Sequence, residues 1–278
     1  MFGLIRRFSE DIDISLNRAA LGFAGDRDLA NPALSGSKRR QLDEEIRVAI
    51  EKTVKEAILP RLQARCGAIL GTAGWSVAAS DEANEEMTLL FNYPVAVQYE
   101  AYLRPQIKIE FGRGDQQPSE MHRIRPYVAA EFPDLFVTPD VEVAVLDCER
   151  TFWEKVTLLH AENHRPDPSK LKPRMSRHWS DVAVMSTHGH FTDEKLSFDL
   201  LRQVIEFKKI YFASGWAHYE TAVPGTLRIV PNQALEKILR EDYRQMGEMF
   251  WGAPVSFDEV LTQLEMLEDR INSLKKKQ

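Results

Sequence analysis

Asp11 and Asp13 stand two residues apart in the stretch Phe8-Ser9-Glu10-Asp11-Ile12-Asp13-Ile14-Ser15-Leu16. On a β-strand, residues i and i+2 project from the same face about 7 Å apart. Two carboxylates placed that way can share one or two hard cations, which take oxygen ligands. An exposed polar strand face explains the same spacing. Ile107-Lys108-Ile109-Glu110-Phe111 repeats the alternation, with Ile107, Ile109 and Phe111 inward and Lys108 and Glu110 on the other face. If the two strands lie near each other, Glu110 adds a third carboxylate to one surface. Three carboxylates repel unless a cation or a basic group sits among them, and Lys108 could supply part of that balance.

A second set of candidates follows in Arg150-Thr151-Phe152-Trp153-Glu154-Lys155-Val156-Thr157-Leu158-Leu159-His160. Lys155 flanks the apolar stripe. Its stem can lie on a core with the ammonium in water, or its point charge can meet a phosphate. His160 lies within the stripe and reads as a core histidine satisfied by hydrogen bonds. Arg174-Met175-Ser176-Arg177-His178-Trp179-Ser180-Asp181 comes after Arg165, Lys170 and Lys172, and the whole is a solvated loop or a groove for phosphates. Asp181, four residues after Arg177, is placed to pair with it on a helix. His188-Gly189-His190 lacks further ligands at metal-site spacing and reads as a loop. No P-loop, dinucleotide-binding or nucleophile-elbow glycine motif is present.

The elements that must position these residues change character along the chain. Ile12 to Leu16 alternates as a strand, with Ile12, Ile14 and Leu16 toward a core. A Gly-, Asp- and Pro-rich loop, Gly22 to Gly36, leads to Ser37, which can cap a helix from about Lys38 to Ala64. Pro60 should end or kink that helix. Strands are predicted at Trp75–Ala79, Met87–Phe91, Gln106–Phe111 and Val141–Leu146, with a polar loop from Gly112 to Pro126 that carries Arg113, His122, Arg123 and Arg125.

Helices then follow at Glu149–Glu162, Ser176–Met185, Glu194–Phe212, Gln233–Met249 and Phe257–Lys277. In the last, Phe257, Val260, Leu264, Leu267, Ile271 and Leu274 form an a/d seam that suits one arm of an intramolecular bundle or a dimer contact. Lys275-Lys276-Lys277 suits a helix C-terminus. The expected architecture is α+β, with a mixed-sheet core over residues 1–148 and a helical domain over 149–278.

Composition narrows the function classes. The 278 residues are 44% hydrophobic, with 36 Lys and Arg against 42 Asp and Glu, a net charge of −6. That supports a globular core and excludes a surface coated in basic charge, though not a local basic groove. The two cysteines, Cys66 and Cys148, are expected to be buried free thiols rather than a disulfide framework. The N-terminus lacks the pattern of a signal peptide, and no run of about 18 apolar residues suggests a membrane span. A reducing, cytoplasmic setting is expected.

Taken together, these blocks resemble the AbiEii/AbiGii toxin family of nucleotidyltransferases. Arg6-Arg7-Phe8-Ser9-Glu10-Asp11-Ile12-Asp13-Ile14 resembles its metal-binding motif, and Ile107-Lys108-Ile109-Glu110-Phe111 stands where its second block would be. Thr151-Phe152-Trp153-Glu154-Lys155 with Leu158-Leu159-His160 is similar to the third block, and Ser176-Arg177-His178-Trp179-Ser180-Asp181 to the fourth.

The resemblance implies a polymerase β-like nucleotidyltransferase core with Mg²⁺ held by Asp11, Asp13 and Glu110. It implies that Lys155 contacts nucleotide phosphates and that Asp181 positions or activates the attacking group. Ser9, Lys108, Arg174, Arg177 and His178 would bind nucleotide or RNA. It further implies a toxin of a toxin–antitoxin or abortive-infection system, and the intramolecular reading of the last helix makes a monomer the expectation. The nucleoside triphosphate is the substrate, RNA such as the tRNA acceptor end receives the nucleotide, and a separate DNA-binding protein is the antitoxin. The family's Gly-Gly-Thr-type turn would stand upstream of the aspartates, whereas Met1-Phe2-Gly3 opens this sequence. Either the start site lies further upstream or the core is truncated before that turn, and in both cases this polypeptide is expected to bind nucleotide poorly. The alternatives are therefore a catalytically inactive relative that binds nucleotide, RNA or antitoxin, and a scaffold that dimerises through its last helix.

Overall fold

The computed structural model describes residues 3–5, 7–9, 11–82, 87–95, 105–112, 119–192 and 195–274. They form two compact units, Phe8–Gln117 on one side and Met1–Arg7 with Pro118–Gln278 on the other. The change of hydrophobic period near residue 148 falls inside the second of these. The architecture is α+β with a mixed sheet.

In the Phe8–Gln117 unit, strands β1 (Asp11–Ser15), β2 (Ser76–Ala79), β3 (Thr88–Asn92) and β4 (Gln106–Gly112) form one sheet in the order β1-β4-β3-β2. β1 pairs with β4 in parallel, and the other pairings are antiparallel. Between β1 and β2 run helix α1 (Gly36–Thr53), a π-helical turn at Val54–Ile58 and helix α2 (Leu59–Leu70). Ser35, rather than Ser37, caps α1, its hydroxyl accepting the Lys38 amide. Pro60 does not end the helical run, which continues past Ala64 to Leu70. It falls in the first turn of α2, just after the π-helical turn, whose wider ladder accommodates the missing amide and the ring.

Leu42, Ile46, Ile50 and Val54, at helical spacing, are buried in this unit along with Phe23, Leu29, Val77, Leu89 and Phe111. The expected inward face of β1 is not buried. Ile12 is 48% exposed and Ile14 36% exposed. β1 ends the sheet at the edge opposite β2, and it is β2 that α2 packs against.

The other unit holds β5 (Ser119–Ile124), a one-turn helix α3 (Val128–Glu131), β6 (Val141–Leu146), α4 (Cys148–Asn163), α5 (Ser176–Ser186), α6 (Phe198–Tyr211), α7 (Gln233–Gln245) and α8 (Phe257–Leu274). β5 lies where a polar loop was expected. Its register with β6 sets His122 opposite Val143 and Arg123 opposite Glu142, so main-chain pairing and opposite charges form a strand that an apolar pattern does not announce. Arg113 of that expected loop, Glu194 at the expected start of α6, and Lys275, Lys276 and Lys277 lie outside the described residues. Cys66 and Cys148 are free but half-buried rather than fully buried, and burial raises the Cys148 pKa.

Phe152, Trp153, Val156 and Leu159 of α4 are completely buried with Trp179 and Val182 of α5. The α8 seam joins the same core. Phe257, Val260, Leu264, Leu267 and Ile271 are buried, and α8 packs against α5 within the chain. That occupancy removes the motive for a dimer through this helix. Leu264→Ala should lower unfolding stability by about 3 kcal/mol through lost burial and a cavity, without changing molecular mass by light scattering. Urea unfolding measures the first effect, and a stability change below about 1 kcal/mol would contradict the packing.

Candidate functional site

The β1–β4 register builds the first group of candidate side chains. Asp11 stands beside Lys108 and Asp13 beside Glu110. Partners on adjacent strands project to one face, so all four share it. The Lys108 ammonium lies 3.7 Å from the Glu110 carboxylate. The next row on this face is uncharged: the Gln106 amide donates to the Asn92 carbonyl at 2.9 Å, and the Asn92 amide donates to the Ser76 hydroxyl at 3.1 Å. Ser9 is exposed just before β1, whereas Arg6 and Glu10 of the same block lie outside the described residues.

Among the described residues, no three His, Cys, Asp or Glu side chains are arranged to hold a metal by themselves. The donors on this face are nonetheless the hard oxygens that magnesium prefers. Magnesium is usually bound by one or two carboxylates together with water and substrate phosphate oxygens. The Asp11–Asp13 pair with Glu110 alongside fits that requirement.

The second group belongs to the helical unit. Asp147 caps α4 by accepting the Glu149 amide at 2.9 Å and the Arg150 amide at 3.1 Å. Eight residues after that cap, Lys155 of α4 donates to Asp181 Oδ2 of α5 at 2.9 Å. Arg7 completes the arrangement, its Nε donating to Asp181 Oδ1 at 2.9 Å and its Nη2 to Oδ2 at 2.7 Å. Asp181 is 1% exposed. Burial alone would raise its pKa, but Lys155 and Arg7 outweigh burial and hold it at about 2. The expected Arg177–Asp181 pair therefore gives way to a bidentate Arg7 fork and Lys155.

His178 Nδ1 lies 3.4 Å from the Lys155 ammonium. Burial, with Lys155 and Arg177 nearby, depresses its pKa to about 2, so the ring is neutral. The start of α5 is fixed by Asp242 of α7, which accepts the Arg174 amide at 2.6 Å, the Ser176 amide at 2.8 Å and the Ser176 hydroxyl at 2.5 Å. Arg174 takes a left-handed φ of 67° there. The basic stretch before α5 is partly neutralised: Arg165 pairs with Glu162 and stacks on Trp216, its guanidinium 4.3 Å from the ring centroid.

His160 is the satisfied core histidine that its stripe position suggested. Its Nδ1 accepts the Arg228 amide at 3.0 Å, so Nε2 carries the proton and donates toward His218 O at 3.1 Å and Thr221 Oγ1 at 3.0 Å. Burial, then His164, lowers its pKa to about 4. His188 and His190 stack in a turn.

Sequence reasoning quoted Arg7 without a role and passed over Asp242. Nothing in the spacing links Arg7 to a helix 174 residues away. Asp242 sits on the polar side of α7 and gives no local sign of capping another helix.

A family model described as nucleotidyl transferase AbiEii toxin, type IV toxin–antitoxin system, matches residues 1–263 of the 278. The chain belongs to the AbiEii family. Comparison with curated proteins and with solved structures finds no match. The AbiEii family is one of nucleotidyltransferase toxins of type IV systems, and its match spans both groups of side chains described above. No helix among the described residues is long and apolar enough to cross a membrane.

The buried, neutral His178 and His160 should make this AbiEii-family chain acid-sensitive. Their folded pKa values lie below the ordinary 6.5, so their contribution to stability is complete above about pH 6.5 and declines as pH falls. Asp181 adds a further decline from about pH 4 toward pH 2, because its folded pKa also lies below its ordinary 3.8. The thermal midpoint should fall steadily between pH 6.5 and 4.5, and His178→Gln should flatten that fall. A midpoint constant across this range would contradict the burial of neutral imidazoles.

Proposed function

We propose that this chain is a magnesium-dependent nucleotidyltransferase that moves a nucleotide from a nucleoside triphosphate onto RNA, with the tRNA acceptor end as the acceptor. It would act in the cytoplasm as a monomeric toxin beside a separate DNA-binding antitoxin. The observation that carries the reading is the parallel β1–β4 register, which sets Asp13 beside Glu110 and Asp11 beside Lys108 in a chain of the AbiEii family.

In this reading, Asp11 and Asp13 would hold magnesium, with Glu110 as the third carboxylate. Bound there, the ion would supply charge neutralisation for the triphosphate and for the attacking oxygen. The acceptor hydroxyl oxygen would form a bond to the α-phosphorus as the bond to the bridging oxygen breaks. Pyrophosphate would leave and the hydroxyl proton would pass to solvent. Lys108 would limit repulsion among the carboxylates, and Ser9 would contact nucleotide.

Lys155 would supply a point charge to phosphate. Asp181, held near pKa 2 with both oxygens engaged, suits fixing Lys155 better than accepting the hydroxyl proton. Arg174, Arg177 and His178, ordered at the start of α5, would bind nucleotide or RNA.

Incubation with magnesium, each labelled nucleoside triphosphate and tRNA should yield labelled RNA. Asp13→Asn should reduce labelling by at least about a hundredfold, and chelation of magnesium should abolish it. Equal labelling by Asp13→Asn and the parent would overturn the reading.

A further inference from the structure

α4 and α6 bring together a surplus of buried positive charge that the roles above leave unused. Arg150 is 3% exposed, and its Nε donates to Glu154 Oε1 at 3.1 Å. Its Nη2 is buried with no hydrogen-bond partner among the described residues, and its guanidinium lies 5.1 Å from the Phe207 ring centroid. Lys208 is 8% exposed, donates to the Glu154 backbone carbonyl at 2.9 Å and lies 5.7 Å from the Phe212 ring centroid. Lys208 occupies a core position of its helix, three residues after Ile205 and four after Val204, both buried.

Among the described residues, Arg150 and Lys208 share one nearby carboxylate, Glu154. Asp181 is committed to Arg7 and Lys155, and Glu154 reaches Arg150 through Nε alone. Burial lowers the Lys208 pKa to about 8; Glu154 favours its charged form, while Lys155 and Arg150 oppose it. A buried, unpaired guanidinium nitrogen costs about 1–3 kcal/mol or more and calls for an explanation such as an ion. A multivalent anion would meet the donor fork of Arg150 and the point charge of Lys208 together.

We propose that Arg150 and Lys208, beside Lys155, form a subsite for the pyrophosphate portion of a nucleoside triphosphate. The assignment rests on the nucleotidyltransfer reading and names residues of its phosphate site. Glu154 and Lys155, 28% and 17% exposed, keep the cluster in touch with solvent. A compact, deeply set group of cations suits the end of a small polyphosphate better than the continuous backbone of RNA.

The test uses the full chain with inorganic pyrophosphate in magnesium-free buffer. Calorimetry should show binding that Lys208→Met weakens at least about tenfold, as loss of one charge-assisted contact requires. On the unaltered chain, pyrophosphate should protect Lys208 from acetic anhydride while the neighbouring exposed Lys209 labels as before. The labelling decides the question even where the variant fails to fold.

Lys208 labelling indifferent to pyrophosphate, or equal affinity in a folded Lys208→Met, would overturn the proposal. So would a variant that loses a 5′-hydroxyl oligoribonucleotide yet keeps pyrophosphate, since the cluster would then serve an RNA backbone. Survival of RNA labelling in Asp13→Asn would count against the transfer reading, not against protection at Lys208.

Discussion

A carboxylate with 1% exposure stays ionised only when cations or hydrogen-bond donors compensate it, and at Asp181 cations meet both oxygens. This contact ties three distant pieces of chain into the helical unit: the segment that holds Arg7, helix α4 through Lys155, and helix α5 through Asp181 itself. The core around it is apolar, with Phe152, Trp153, Trp179 and Val182 fully buried. In such surroundings a lone charge would cost several kcal/mol, and removal of one partner is far more disruptive than replacement of the whole group. The pair also fixes where the Lys155 ammonium sits, which gives the helical unit a cation of defined position rather than a flexible one.

The sheet unit solves a different problem. Its carboxylates are gathered by backbone pairing rather than by burial, because a parallel register places Asp13 beside Glu110 whatever their charges prefer. The repulsion is moderated by Lys108 in the neighbouring row and by the partial exposure of the face. Under the proposed function, such a face would gain from a hard cation that brings phosphate oxygens of its own. One unit thus holds its charge by compensation inside the protein, and the other by strand pairing on a face partly open to water.

Much of this was legible in the residues. The alternation around Asp11 and around Glu110 marks two strands, and their pairing puts the acids on one face. The 3-4 spacing from Phe257 to Ile271 marks a buried seam, and the position of His160 in an apolar stripe marks a satisfied core histidine. What was hidden depended on long-range pairing. The Ser119–Ile124 strand carries almost no apolar pattern and exists because Val141–Leu146 pairs with it. Ile12 and Ile14 are exposed while Val77 of the other edge strand is buried where α2 packs, a difference that alternation does not encode. Arg7 and Asp181 are joined across the length of the chain, so the nearer Arg177 was the natural but mistaken partner. Lys208 did leave a trace, a charge at a core position of its helix, which reads as an error in the pattern until its neighbours are known.

The compensation at Asp181 is open to a double-mutant cycle with Lys155→Met and Asp181→Asn, each variant followed by urea unfolding at neutral pH. A buried, charge-assisted pair predicts a coupling energy of at least about 1.5 kcal/mol, with the double variant less destabilised than the sum of the singles. Additive effects within about 0.5 kcal/mol would mean that the two side chains do not support each other, and the account of how this unit holds its charge would be wrong.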